Sequence, residues 1–149
     1  MSSVVLDTHA LVWLLAGNKH LSPAVAEVVR QAADTNQAFV SAITPWEIAM
    51  LVAKNRLTFA CDVQTWLDDA LSQPGISLAP LLPAIAVDST RLPGTMHGDL
   101  ADRIIVATAR HFHATLITAD TQLLAYGRTR HVSVLDASSP GSTTPDEPA

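Results

Sequence analysis

Gly98-Asp99-Leu100-Ala101-Asp102-Arg103-Ile104-Ile105-Val106-Ala107-Thr108-Ala109, followed by Ala114-Thr115-Leu116-Ile117-Thr118-Ala119-Asp120, is the stretch whose reading decides the fold. The first segment predicts a helix from about Asp99 to Phe112. From Ile104 onward it is nearly all apolar or small, the pattern of a buried helix. The second segment predicts a short buried strand, Thr115 to Thr118. Carboxylates stand at the helix start, Asp99 and Asp102, and just past the strand, Asp120. Gathering such charges beside a buried helix is costly unless a cation neutralises them.

The flanking sequence repeats the theme of short apolar strands between helices. Val4-Val5-Leu6 reads as a strand closed by Asp7, and Thr8 to Ala16 as a helix stopped at Gly17-Asn18. Ser22-Pro23 starts a second helix, with serine as N-cap and proline in the first turn. Ala38 to Val40 is a second strand, and Thr44-Pro45-Trp46-Glu47 opens the next helix. A helix over about 63–72, a weaker strand at Ile76 to Leu78 and a helix over about 84–91 precede the quoted stretch. After it come a short helix from Thr121 and a last strand, Val132 to Leu135. This alternation predicts an α/β fold with a parallel sheet. Residues 1–136 read as one domain, and 137–149, rich in Ser, Pro, Thr and Gly, as a disordered tail.

Sites in open parallel sheets lie beyond the carboxyl ends of the strands. Asp7, Asp120 and, at the start of a helix after the second strand, Glu47 all fall on that edge. Each acid also has a plainer reading. Asp7, Asp99 and Asp120 stand where N-caps stand, Asp102 lies in a favourable first turn, and Thr44 with Glu47 has capping-box spacing. Capping does not require five of the chain's 14 acidic residues to share one edge of the sheet, whereas a cation site does. Oxygen-only ligands suit Mg²⁺ or Mn²⁺.

Composition narrows the alternatives. With 48% apolar and 15% charged residues, the chain can bury a core and is not a disordered polyelectrolyte. A net charge of -5 argues against broad electrostatic wrapping of nucleic acid, though not against a local site. The single cysteine, Cys61, rules out thiolate zinc sites and internal disulfides. The start of the chain has no charged segment ahead of an apolar run, and no run is long enough for a membrane span, so a cytoplasmic location is expected.

Leu6-Asp7-Thr8-His9, Trp46-Glu47-Ile48, Asp99-Leu100-Ala101-Asp102-Arg103 with its apolar continuation, and Thr118-Ala119-Asp120 together resemble the PIN-domain ribonucleases, in particular the VapC-type toxins of bacterial toxin–antitoxin pairs. The resemblance spans residues 4–135. One departure is Leu100, where that family often has a proline. The resemblance implies a three-layer fold with strand order 3-2-1-4-5 and a Mg²⁺- or Mn²⁺-dependent endoribonuclease. It implies a catalytic quartet of Asp7, Glu47, Asp102 and Asp120, with Asp99 as an accessory metal-binding carboxylate and Thr8 and Thr118 in support. RNA as substrate, a cognate antitoxin and a homodimer follow from the same resemblance.

Other residues stay open at this point. Arg103 pairs with Asp99 or holds a scissile phosphate. Lys54 and Arg56 contact the phosphate backbone or are a solvated helix end. His9 reads as packed or partly exposed, and His97, His111 and His113 lack ligand spacing. Trp13, Trp46 and Trp66 read as core or interface residues. A receiver domain would need a lysine near its last strand, but the chain's lysines are Lys19 and Lys54. A haloacid-dehalogenase phosphatase would need Asp-x-Asp where this chain has Asp7-Thr8-His9. A non-catalytic PIN-like module that binds nucleic acid or protein, and a metal-dependent DNA nuclease, remain as alternatives.

Overall fold

The computed structural model describes residues 2–140. Five strands, β1 (Val4–Leu6), β2 (Ala38–Ser41), β3 (Ile76–Ala79), β4 (Thr115–Thr118) and β5 (Ser133–Asp136), form a parallel sheet ordered β3-β2-β1-β4-β5. The connecting helices are α1 (Thr8–Ala16), α2 (Pro23–Asp34), α3 (Ile43–Ala53), α4 (Val63–Leu71), α5 (Pro83–Thr90), α6 (Leu100–His111) and α7 (Thr121–Gly127). Class and strand order agree with the expectation from the sequence.

Strand alternation produces three layers. Val4 and Leu6 of β1 pack with Leu11 of α1, Val25 and Val29 of α2, and Leu67 of α4. Val5 points the other way, into Ile85 of α5, Ile105 and Val106 of α6, and Leu123 of α7. β4 repeats the division, with Ile117 on the first side and Leu116 on the second. Covered on both faces, β1 is apolar throughout its length and β4 is apolar at its centre, Leu116 and Ile117.

From β1 the chain steps outward to β2 and β3, then crosses back to β4 on the other side. The β1–β4 boundary is therefore the point where strand order reverses, and a crevice opens there beyond the strand ends. The register pairs Leu6 with Ile117. Asp7 and Thr118, one residue further along each strand, are thereby neighbours.

α6 carries its first-turn carboxylate to this crevice. Ile104 to Ala109 are all buried because the helix packs on the sheet and against both α5 and α3. Full burial of one such isoleucine contributes about 1.5–3 kcal/mol. The buried Thr108 hydroxyl donates to the Ile104 carbonyl at 2.7 Å, so the apolar run hides no unpaired hydroxyl.

Two expectations are corrected. α3 begins at Ile43, so Thr44 lies inside it, and the cap position, Ala42, makes no side-chain hydrogen bond. The Thr44–Glu47 capping box does not form because both side chains turn toward α1. The expected tail over 137–149 also starts too early. Ala137 is buried, its N–H donates to Thr118 O at 2.9 Å, and its carbonyl accepts from Ser22 N. The Ser22 hydroxyl then donates to Ser139 O at 2.5 Å, which fastens this segment to the start of α2. The remainder of the expected tail, 141–149, lies outside the described residues.

Candidate active site

Asp7 sits at the end of β1 and caps α1. Its Oδ1 accepts from Thr8 N–H at 2.7 Å and its Oδ2 from the Thr118 hydroxyl at 2.7 Å. Only 7% of it is exposed. Burial pushes its carboxyl up. The Thr118 and Thr8 hydrogen bonds oppose that, Glu47 adds repulsion, and His9 acts in the lowering sense.

Thr8 links Asp7 to Glu47. Its buried hydroxyl donates to Glu47 Oε1 at 2.5 Å and lies 3.2 Å from the Thr44 hydroxyl. Since Thr8 has one hydroxyl proton and gives it to Glu47, Thr44 donates to Thr8. A chain from α3 through α1 and back to α3 holds the Glu47 carboxylate. Thr44 is a site residue that the capping-box reading concealed.

Asp99 and Asp120 are true N-caps. Asp99 Oδ1 accepts from Asp102 N–H at 2.9 Å, and Asp120 Oδ1 accepts from Gln122 and Leu123 N–H at 2.8 and 3.0 Å. The plainer reading is therefore correct for Asp7, Asp99 and Asp120, and it does not exclude the other. Asp7, Glu47, Asp99, Asp102 and Asp120 all line one cleft of about 410 Å³, together with His9, Trp13 and Ala119. Three helix N-termini, those of α1, α6 and α7, deliver carboxylates to it. Their dipoles offset part of the repulsion.

Asp102 is perturbed in the same direction as Asp7. Its carboxyl is pushed up to about 6, first by burial and then by the charges of Asp99, Asp7 and Asp120, with a hydrogen bond from His97 opposing. His97 Nε2 lies 2.7 Å from Asp102 Oδ2. The sequence reading set His97 aside for want of ligand spacing. Its partner is a carboxylate five residues on, reached because the residues ahead of the N-cap fold back over the first turn of α6.

Arg103 secures that fold-back. Its Nε donates to Ser89 O at 2.8 Å, and its Nη1 to Met96 O at 3.0 Å and His97 O at 3.1 Å. Among the described residues it forms no ion pair with Asp99; its Nε and Nη1 make this clamp instead. Lys54 and Arg56 are exposed past the end of α3 and do not line the cleft. The tryptophans divide. Trp66 stacks on Phe59 at 4.3 Å and packs on the core, Trp46 is 54% exposed, and Trp13 forms part of the cleft wall.

The PIN domain model matches residues 4–128, which span every carboxylate of this cleft. The chain belongs to the PIN-domain family. The PIN domain is 31% identical over 134 residues to ribonuclease VapC22 of Mycobacterium tuberculosis, covering 90% of this chain and 99% of that protein. Among solved structures it is similar to VapBC2 from Rickettsia felis bound to a promoter DNA fragment. There the TM-score is 0.65 at 22% identity, with 89% of this chain and 97% of that one covered. It is also similar to a toxin–antitoxin complex from Klebsiella pneumoniae, with a TM-score of 0.56 at 26% identity, covering 83% and 91% of the two chains.

The donor set of this PIN domain fits a hard divalent cation. Glu47 Oε2, Asp99 Oδ2, Asp102 Oδ1 and Asp120 Oδ2 accept no hydrogen bond among the described residues, although their partner oxygens do. Among those residues no three His, Cys, Asp or Glu side chains converge on one ion-sized point. Direct convergence is not required for Mg²⁺, which keeps several waters and takes one or two carboxylates itself. No helix among the described residues is long and apolar enough to cross a membrane.

Proposed function

We propose that this PIN domain is a divalent-cation-dependent endoribonuclease, acting in the cytoplasm as the toxin of a toxin–antitoxin pair. The observation that carries the reading is the meeting of Asp7, Glu47, Asp102 and Asp120 around one cleft. The similarity to ribonuclease VapC22 over nearly its whole length supports the reaction class. Asp7, Glu47 and Asp120 would hold Mg²⁺ or Mn²⁺, with Asp99 assisting. The bound ion would offset charge on the scissile phosphate and lower the pKa of water.

The chain's own residues do the rest. Thr118 and Thr8 N–H keep Asp7 from rotating, and the Thr8 hydroxyl does the same for Glu47. Asp102 orients the attacking water. His97 Nε2, hydrogen-bonded to Asp102 Oδ2, holds that carboxylate in orientation. Lys54 and Arg56 meet the phosphate backbone away from the cut. The protein partner is an antitoxin whose arginine enters the carboxylate cluster, since a guanidinium fork matches paired carboxylates. Two copies of the chain form a homodimer.

The test is incubation of the purified protein with total cellular RNA, and separately with single-stranded DNA, in Mg²⁺ or in chelator. New RNA ends that need Mg²⁺ and vanish in Asp120→Asn are the expected result. DNA cleavage alone favours the DNA-nuclease reading, and no cleavage of either favours a non-catalytic module. Expression of the chain should slow growth, and co-expression of the neighbouring small protein should relieve it.

A further inference from the structure

The wall of the acidic cleft is not all carboxylate. His9 and Trp13 line it too. They stand four residues apart on α1 and so share one face. Their ring centroids are 5.9 Å apart, with planes at 44°. Beyond them Gly17, at φ 63°, lets the chain turn back. Gly17 N–H donates to Leu14 O and Asn18 N–H to Trp13 O, and His20 arrives with its centroid 5.1 Å from that of Trp13. A row of rings, His9, Trp13, His20, thus leads out of the cleft. Trp13 also walls a second, mostly apolar hollow of about 300 Å³ with Leu14, Leu21 and Pro23, at whose edge Lys19 stands. The indole is a ridge between a charged hollow and an apolar one.

We infer that this row is a nucleobase platform, on which unpaired bases flanking the phosphate at the carboxylates stack. The inference rests on the nuclease reading and adds how the substrate is held. Without a cation the cleft repels phosphate, and among the described residues neither lysine nor arginine lines it. The whole chain has nine lysines and arginines against 14 acids. With phosphate contacts limited to a few outlying cations such as Lys54 and Arg56, affinity for a polynucleotide gains from a source besides charge. Stacking on aromatic rings is such a source, and it tolerates any base sequence. The rings are placed for it. His9 and His20 are exposed, while Trp13 is half-buried with its inner side packed on the core. An anchored indole loses little freedom when a base settles on it. The Phe59–Trp66 pair differs in geometry, its rings stacked on each other at 4.3 Å and 9°.

The test is a binding cycle in the Asp120→Asn background with Mg²⁺. The probes are a short mixed-sequence single-stranded RNA and the same oligomer with abasic central nucleotides, which keeps the phosphate charge. Abasic substitution should weaken binding about tenfold when Trp13 is present and leave the affinity of Trp13→Leu nearly unchanged. Trp13→Phe, which retains a ring, should keep most of the abasic effect, and His9→Ala a part of it. Equal abasic losses with and without Trp13, or no saturable binding of the intact oligomer, overturn the platform. Loss of antitoxin capture in Trp13→Leu with RNA binding intact also overturns it and makes the row a protein-docking surface. Cleavage separates the two readings. RNA bound through Trp13 but never cut by the unmodified protein defeats the nuclease reading alone, and cutting with no base-dependent binding defeats the platform alone.

Discussion

His97 Nε2 and Asp102 Oδ2 face each other at 2.7 Å across the N-terminus of α6, with side chains 21% and 16% exposed. The contact ties the loop ahead of the helix to a carboxylate of the cleft.

His97→Ala removes the hydrogen bond that holds the Asp102 carboxyl down. The Asp102 carboxyl then ionises at higher pH, and its side chain is free to rotate. RNA cleavage at pH 7 should fall about 10–100-fold, the usual cost of losing such a supporting partner. The acid limb of the pH–rate profile should move upward. An unchanged profile would assign His97 to loop structure alone.

The metal-free protein should lose stability as pH rises. Burial raises the folded-state carboxyls of Asp7 and, to about 6, Asp102, above their unfolded values of about 4. The folded state then binds more protons than the unfolded chain in that window, so their contribution is complete below about pH 4. It is lost as pH climbs through about 6. After screening, the loss is about 1–2 kcal/mol, or several degrees in Tm. Thermal melts in chelator from pH 4 to 8 measure it, and millimolar Mg²⁺ should reverse it. A Tm that rises over pH 4 to 6 would contradict the assignment.

Arg103→Lys should destabilise the fold without direct damage to the carboxylates. A lysine ammonium cannot reach the Ser89, Met96 and His97 carbonyls together as the guanidinium fork does. The expected loss is about 1–3 kcal/mol, read from the urea midpoint. Hydrogen exchange should quicken first in the loop over 95–98.

Asp7→Asn should leave the fold intact and abolish activity. The asparagine carbonyl can still accept from Thr8 N–H, and its amide can donate to Thr118, so the cap survives. One ionisable carboxylate is gone from a buried position, so the metal-free protein should melt at or above the wild-type temperature. Cleavage should drop by orders of magnitude.

How much of this was legible depends on sequence distance. β1, α6 and β4 are short or uniform apolar runs bounded by caps, and local chemistry defines them. Asp7, Asp99 and Asp120 were visible because their capping role is also local. Glu47 was visible, and the family resemblance named Thr8 in support, but the pairing of the two was not local. Thr44 looked like its cap, while the fold delivers Thr8 from another helix, and a buried hydroxyl there outcompetes the cap. The partners of His97 and of Arg103 were hidden for the same reason, since both act through a loop whose path tertiary packing sets. Burial, ahead of mutual repulsion, raises the carboxyls of Asp7 and Asp102, and burial is set by tertiary packing. Ala137 was lost in a Ser- and Pro-rich composition that said nothing of its hydrogen bond to β4.

The most direct test of the central claim, that the carboxylates at this sheet edge form one cation site, is titration calorimetry of Mn²⁺ into the chelator-stripped protein. The account predicts saturable binding to the wild type, at least tenfold weaker binding to Asp7→Asn and Asp120→Asn, and no change for Asp62→Asn on the exposed start of α4. Equal binding by all four proteins, or none by the wild type, would contradict it.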